Sequence, residues 1–245
     1  MKAKLIAATQ IDADALRGIG YEPHPYVVND DNGEFGDYDH DELAEFAGRN
    51  CYRSFHRPNP ATRENEDYLA HILQVGHESV LEHASATFYI EASRSVLTEL
   101  ERHRHLSFSV VSQRYVDPTK VGLPHRPPAI ADLPHHEFVQ VDSSLKNAWQ
   151  DATAAYERIH AALEQAGLPR KQAREAARAV LPNMTNSPMV VTGNHRAWRY
   201  VIKNRWHEAA DAEIRELAGE LLRQLREIAP NCYQDLPSEP YSYGG

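Results

Sequence analysis

Three features of the sequence predict a single domain of mixed α/β class. Strand-like segments alternate with helical ones over the first 116 residues, long helical stripes dominate the remainder, and no repeat, low-complexity tract or composition shift marks a linker. At 245 residues the chain can bury a sizeable core as one domain spanning 1–245, without a metal or disulfide staple.

The elements follow in order. "KLIAATQI" is a short strand, and "DYDHDELAEFAGRNCY" is a helix whose early Asp residues can cap it and favour its dipole. "TRENEDYLAHILQVGH" sets Tyr68, Leu69, Ile72 and Val75 at helical spacing, with Gly76 placed to end the helix. Residues 84–92, "ASATFYIEA", turn to small, branched and aromatic residues and form a strand with Thr87, Tyr89 and Glu91 on one face. Ser93 or Ser95 then caps a helix carrying Val96, Leu97 and Leu100 on its buried stripe, so that Arg102, His103 and Arg104 fall in its last turn. "SFSVVSQRYV" returns to strand composition.

Residues 117–136 hold five prolines and are predicted to be an extended loop of the kind that often borders a site. Leu145, Trp149, Ala152, Tyr156, Ile159 and Leu163 then trace a long amphipathic helix closed by Gly167. A shorter helix, "KQAREAARAVL", stops at Pro182. The last helical stretch begins near Asn194 and runs, unbroken or restarted, to residue 229, with Ile214, Leu217, Leu221, Leu225 and Ile228 on one face.

Charge narrows the function. A formal net charge of −9 argues against nonspecific nucleic-acid binding, so a cation cluster in this chain marks a focused anion site. No apolar run approaches a membrane span or a signal peptide, and a cytoplasmic address is expected. Cys51 and Cys232 are too few for a disulfide framework or zinc site and are expected to be small buried residues.

The cluster is "ELERHRHLSFSVVSQRY", residues 99–115. Cations in a last helical turn offset the partial negative charge there by ~0.3–1 kcal/mol each. Consecutive helix positions point about 100° apart, however, so three adjacent cations cannot all face solvent. At least one must turn toward the stripe marked by Val96 and Leu100, and His103 is the residue in register. A buried cation needs a partner: Glu99 lies within reach, and a bound anion would serve. Ser107, Ser112 and Arg114 add hydroxyls and a guanidinium fork suited to a phosphate ester. Arg174 and Arg178, one turn apart, read alone as a solvated helix face. Arg196, Arg199 and Arg205 are interleaved with Trp198 and Tyr200, aromatics that either stack on a ring or fill the core. "GHESVLEH", residues 76–83, is rich in His and Glu but matches no zinc spacing, and no metal is expected. Neither a glycine-rich phosphate loop nor a dinucleotide fingerprint is present.

Arg102-His103-Arg104, then Ser107, Ser112 and Arg114, reproduce the signature Arg-His-Arg-x-x-Ser-x-x-x-x-Ser-x-Arg, and on these residues the chain resembles the flavin-dependent thymidylate synthases. "GHESVLEH", "AREAARAVLP" and "TGNHRAWRYVIKNR" resemble further stretches of that family in its order, so the likeness covers roughly residues 50 to 218. The resemblance implies an α/β (α+β) domain with a central, mostly antiparallel sheet flanked by helices, assembled as a homotetramer whose active sites are shared between subunits. It implies reductive methylation of dUMP to dTMP, with methylenetetrahydrofolate as carbon donor, FAD as hydride carrier and NADPH as reductant. Carried over by motif, Glu99, Arg102, Ser112, Gln113, Arg114, Arg178 and Arg205 would hold dUMP, with Arg205 at the uracil as the catalytic residue. Ser79, Arg102, His103, Arg104, Asn194, His195, Arg196 and Tyr200 would meet FAD, with His77 and Glu82 close by. Ser112 is assigned to binding and not to nucleophilic attack. The chain departs from the family pattern at Val110, where Glu or Gln is frequent, at Tyr200, where Asn or His is usual, and at Ala209, where His is frequent. Two rivals stand beside this reading: a noncatalytic nucleotide-binding regulator, and a metal-dependent phosphohydrolase built on "GHESVLEH".

Overall fold

In the computed structural model, which describes residues 1–23 and 39–242, four strands form one antiparallel sheet in the order β1-β2-β4-β3. The strands are β1 (Lys2–Ala8), β2 (Ser85–Ser93), β3 (Ser107–Val110) and β4 (Asn186–Asn194). Sequence patterning located the first three, β1 and β3 ending short of their expected spans. It missed β4: "NSPMVVTGN" carries a proline and a glycine, and no element is expected between Pro182 and Asn194. Ser187–Val191 are buried almost throughout, so the strand lacks the alternation that marks a half-exposed one.

β2 alternates as predicted. Ala86, Phe88, Ile90 and Ala92 are fully buried on one face, while Thr87, Tyr89 and Glu91 remain half-buried on the other. Burying side chains such as Phe88 and Ile90 contributes about 1.5–3 kcal/mol each. Full pairing from Ser85↔Asn194 to Ser93↔Asn186 fixes this register against β4.

The helices among the described residues are α1 (Ala13–Gly18), α2 (Asp39–Tyr52), α3 (Asn65–Gln74), α4 (Arg94–Leu100), α5 (His135–Gln165), α6 (Arg170–Ala177), α7 (His195–Arg205) and α8 (Ala212–Ile228). Sequence reading missed α1, which is six residues long, too short to show a period. Residues 37 and 38 of the first expected helix lie outside the described residues. The early carboxylates of α2 do tertiary work: Asp41 accepts from the backbone N–H groups of Asn231 and Cys232 at 2.8 and 2.9 Å. α3, α4, α7 and α8 supply Leu69, Leu97, Leu100, Trp198, Ile202, Leu221 and Leu225 to the core over the inner sheet face.

The final helical stretch does break, after Arg205, and restarts at Ala212. The long helix begins at His135, ten residues before its first predicted stripe position, and only Asp142 and Tyr156 are buried along its 31 residues. Its apolar stripe is therefore half covered, chiefly by α6. The proline-rich stretch holds two short 3-10 turns and is tied to the start of β4, where the His125 and Asn186 side chains lie 2.6 Å apart. Cys232 is buried as expected, but Cys51 is exposed, because it sits near the open end of α2. No helix of the described residues is long and apolar enough to cross a membrane.

Candidate active site

Ser93 caps α4, its hydroxyl accepting from Val96 N–H at 3.3 Å, and the helix stops at Leu100. Arg102, His103 and Arg104 thus lie in the turn beyond the helix and not in its last turn. Leu106 must enter the core beneath Gly193, where any Cβ would stand 2.3 Å from the leucine side chain, and a continued helix would carry Leu106 away. Of the three, His103 turns inward and is 6% exposed, though as a neutral ring and not as the expected buried cation, while Arg102 and Arg104 face solvent.

His103 meets Arg205, the last residue of α7. The Arg205 Nε–H donates to His103 Nε2 at 3.1 Å, its Nη1 to Glu99 Oε2 at 2.9 Å, and its Nη2 to the Glu99 carbonyl at 3.4 Å. A guanidinium has no lone pair to offer, so His103 Nε2 is the acceptor and the neutral ring carries its proton on Nδ1. Burial, followed by the adjacent Arg205 charge, lowers the His103 pKa to about 4. Its Nδ1 is buried with no hydrogen-bond partner among the described residues. Burial lifts the Glu99 carboxyl above its ordinary value, with Arg205 pulling the other way.

Beside this group opens a cleft of about 880 Å³ lined by Glu78, Glu82, Arg102, Arg104, His105, Asn194, Arg196, Ala197 and Tyr200. Glu82 pairs with Arg196, and Glu78 with Lys203 at 3.0 Å. Arg102 and Arg104 have no carboxylate partner among the described residues. A cleft of this volume with two unpaired guanidiniums and a nearby orphan imidazole N–H fits a ligand carrying phosphates and a polar ring. The Tyr200 ring stands edge-on to His103, with centroids 5.6 Å apart.

Asn194 lines the cleft and caps α7, its Oδ1 accepting from Ala197 N–H at 2.8 Å. His195, grouped with it by motif, points the opposite way. Its ring is 1% exposed, between His40 and the Tyr233 hydroxyl, because the first position of α7 faces the core when the second, Arg196, faces out. As a cleft-lining side chain His195 is therefore corrected to a core residue. Ser79 and His77 belong to the turn carrying Glu78 and Glu82 but do not line the cleft. Arg199 is fully buried, bonded through both Nη atoms to Asp235 at 2.7 Å. His105 lines the cleft and went unassigned, although its place directly after Arg104 was a usable signal.

Ser112, Gln113 and Arg114 follow β3, and Arg178 follows α6. Val111 N–H bonds the Pro188 carbonyl at 3.0 Å, near the start of β4, whereas Asn194 ends that strand six residues later. Ser112 thus follows β3 near the start of β4, about 20 Å of strand from the Asn194 end that lines the cleft. Ser112 opens a turn whose carbonyl accepts from Tyr115 and Val116 N–H at 3.1 and 2.9 Å. Arg114 approaches Glu175 at 3.7 Å. Arg174 is not on a solvated face: it is 7% exposed and donates to the Tyr115 carbonyl, anchoring the turn, while Arg178 one turn later stays half-buried. Neither Cys51 nor Cys232 is among these residues, and burial pushes the Cys232 thiol well up, away from a nucleophilic thiolate.

Comparison with known proteins gives a consistent answer. Residues 36–231 match the family described as "Thymidylate synthase complementing protein". The chain is 72% identical over 244 residues to a "Probable flavin-dependent thymidylate synthase" of Mycobacterium phage L5, covering 99% of this chain and 100% of the other. It is 69% identical over 245 residues to the protein of the same description in Mycobacterium phage D29, with both chains covered completely. A "Flavin-dependent thymidylate synthase" of Mycobacteroides abscessus is 52% identical over 203 residues, 79% of this chain and 78% of that one.

Proposed function

The chain belongs to the thymidylate synthase complementing protein family, the flavin-dependent thymidylate synthases, and from that premise we propose how its residues divide the reaction. The substrate is dUMP, reductively methylated to dTMP, with 5,10-methylenetetrahydrofolate giving the carbon and NADPH the reducing equivalents. FAD, when bound, supplies the hydride chemistry, and the protein has to bind, orient and polarise.

Arg102 and Arg104, unpaired at the cleft, take FAD phosphates, with Arg196, Asn194 and Tyr200 along its wall. His103 offers its buried Nδ1–H as a donor to the bound flavin. Arg205 takes the uracil edge. A fixed guanidinium in a half-buried site stabilises negative charge developing on the pyrimidine carbonyls and N3 more than water does. Glu99 holds the guanidinium in place and neutralises it in the resting state. Ser112, Gln113, Arg114 and Arg178 take the dUMP phosphate.

We take these phosphate ligands, near the start of β4 and away from the Asn194 end at the cleft, to serve the cleft of a neighbouring copy. A homotetramer with shared active sites satisfies that requirement, and the half-covered stripe of α5 offers apolar surface for assembly. A cytoplasmic address suits these soluble substrates.

The observation that carries the reading is the Arg205–Glu99–His103 group beside a cleft with two unpaired arginines. The test is an absorption spectrum of the purified protein before and after anaerobic NADPH with dUMP present, followed by product analysis. Flavin bands that bleach, with dTMP formed once folate is added, are expected. A colourless protein that takes up no FAD yet binds dUMP would replace the enzyme by a nucleotide-binding regulator.

A further inference from the structure

We infer that the C-terminal segment around Tyr241 is a strap that positions Arg205, an inference that rests on the uracil-binding role proposed for that arginine. α7 ends at Arg205 without a glycine cap; Trp206 follows at φ −80°, ψ 59°. Helix ends lacking such a cap leave carbonyls to be satisfied elsewhere. Tyr241 satisfies one of them: its N–H donates to the Trp206 carbonyl at 2.9 Å, and its own carbonyl accepts from Glu208 N–H at 2.9 Å. The pairing is a parallel bridge between His207 and Tyr241, outside the main sheet.

The same turn is wedged from below. The Trp206 ring lies over Gly219 of α8, where a Cβ would come within 2.6 Å of ring carbons. Further back, Arg199 in the middle of α7 is bonded to Asp235 and to the Cys232 carbonyl. Residues 232–241 thus hold α7 at two points, and all of them lie beyond the span 36–231 matched by the family.

The strap bonds the residues immediately after Arg205 and leaves the Arg102, Arg104 and Arg196 side of the cleft untouched. Its removal should therefore alter dUMP handling while sparing flavin binding. Arg205 reaches Glu99 and His103 through a long side chain, so a small rotation at its Cα becomes a displacement at the guanidinium large enough to matter for catalysis.

The experiment compares the FAD-loaded enzyme with Tyr241→Ala, Tyr241→Pro and a chain ended after Ser238. Tyr241→Ala keeps the N–H, and its dUMP affinity and kcat should stay within about twofold of the parent. Tyr241→Pro removes the donor, and it and the shortened chain should lose about tenfold to a hundredfold in kcat/KM for dUMP, with FAD affinity and spectrum unchanged. Parent-like kcat/KM in the shortened chain overturns the strap. Equal losses in Tyr241→Ala and Tyr241→Pro also overturn it, since the side chain and not the backbone bond would then be responsible. A crystal structure of the shortened chain supplies an independent readout: Arg205 should leave Glu99 and His103, and unchanged distances overturn the inference. Should the parent itself form no dTMP, the functional reading fails, and the Arg205 distances still decide the strap.

Discussion

The Arg205 Nε–H and His103 Nε2 lie 3.1 Å apart, and this bond makes a buried imidazole an acceptor on one side and, among the described residues, an unpartnered donor on the other. It joins the end of α7 to the turn after α4, residues 102 positions apart in sequence. The expected behaviour of the site follows from it.

Replacing Arg205 with Ala should abolish dTMP formation and leave a folded, flavin-binding protein. It also removes the charge that helps depress His103, so the His103 pKa should rise from about 4 toward its ordinary value. Product assay and a histidine NMR titration check both, and a fully active variant would refute the role of Arg205.

Glu99→Gln keeps the shape and removes the charge gripping Arg205. Both side chains are about a quarter exposed, so the stability cost should be small, under about 1 kcal/mol. The kcat/KM for dUMP should fall by roughly tenfold through lost orientation. Steady-state kinetics beside thermal melting separate the two effects.

Arg174→Met removes a buried donor to the Tyr115 carbonyl while keeping much of the side-chain volume. The turn presenting Ser112 and Arg114 should loosen, raising KM for dUMP by about tenfold and costing about 1–3 kcal/mol of stability. Unchanged KM would show that the turn holds itself.

Stability should fall in mild acid. Burial lowers the His40 and His103 pKa values to about 4 and holds His195 well below its ordinary value, so between pH 6.5 and about 4 the unfolded chain binds protons that the folded chain refuses. Stability rises with pH wherever the unfolded state binds more protons, so the histidine contribution is complete above pH 6.5 and lost as the pH falls. Asp41, lifted by burial to about 6, opposes this, because the folded chain keeps its proton between about 3.8 and 6. Asp39 and Glu99, lifted less far by burial, add to this opposition, and the three strongly shifted histidines outweigh it; each fully shifted histidine contributes about 1.4 kcal/mol per pH unit. His40→Asn should flatten the pH dependence of the unfolding free energy by about that slope, measured by urea unfolding at pH 5 and 7. An unchanged slope would mean that His40 is already charged in the folded protein.

Much of the site was legible because its chemistry is carried by one short run of sequence. Arg102, His103, Arg104, Ser112 and Arg114 stood out as cations and hydroxyls inside an acidic chain; His103 does turn inward, but from the turn after α4 and not by the helical spacing that suggested it. Periodicity also located β2, α3 and the stripe of α5, since local spacing decides which face is apolar.

Tertiary contact decided the rest. No spacing rule says that His195 faces the core while Asn194 and Arg196 face the cleft, because that depends on where Trp198 lodges against Gly193 and Ala86. β4 escaped notice because its first half, Asn186 to Met189, is buried on both faces and shows no alternation, and Arg174 read as a surface residue because the turn it anchors comes from a segment 59 residues earlier. The sequence by itself determined which residues bring charge, hydroxyls and apolar stripes. Only the packed sheet and helices decided that Arg205 meets Glu99 and His103, since long-range pairing follows the shape of the core and not local spacing.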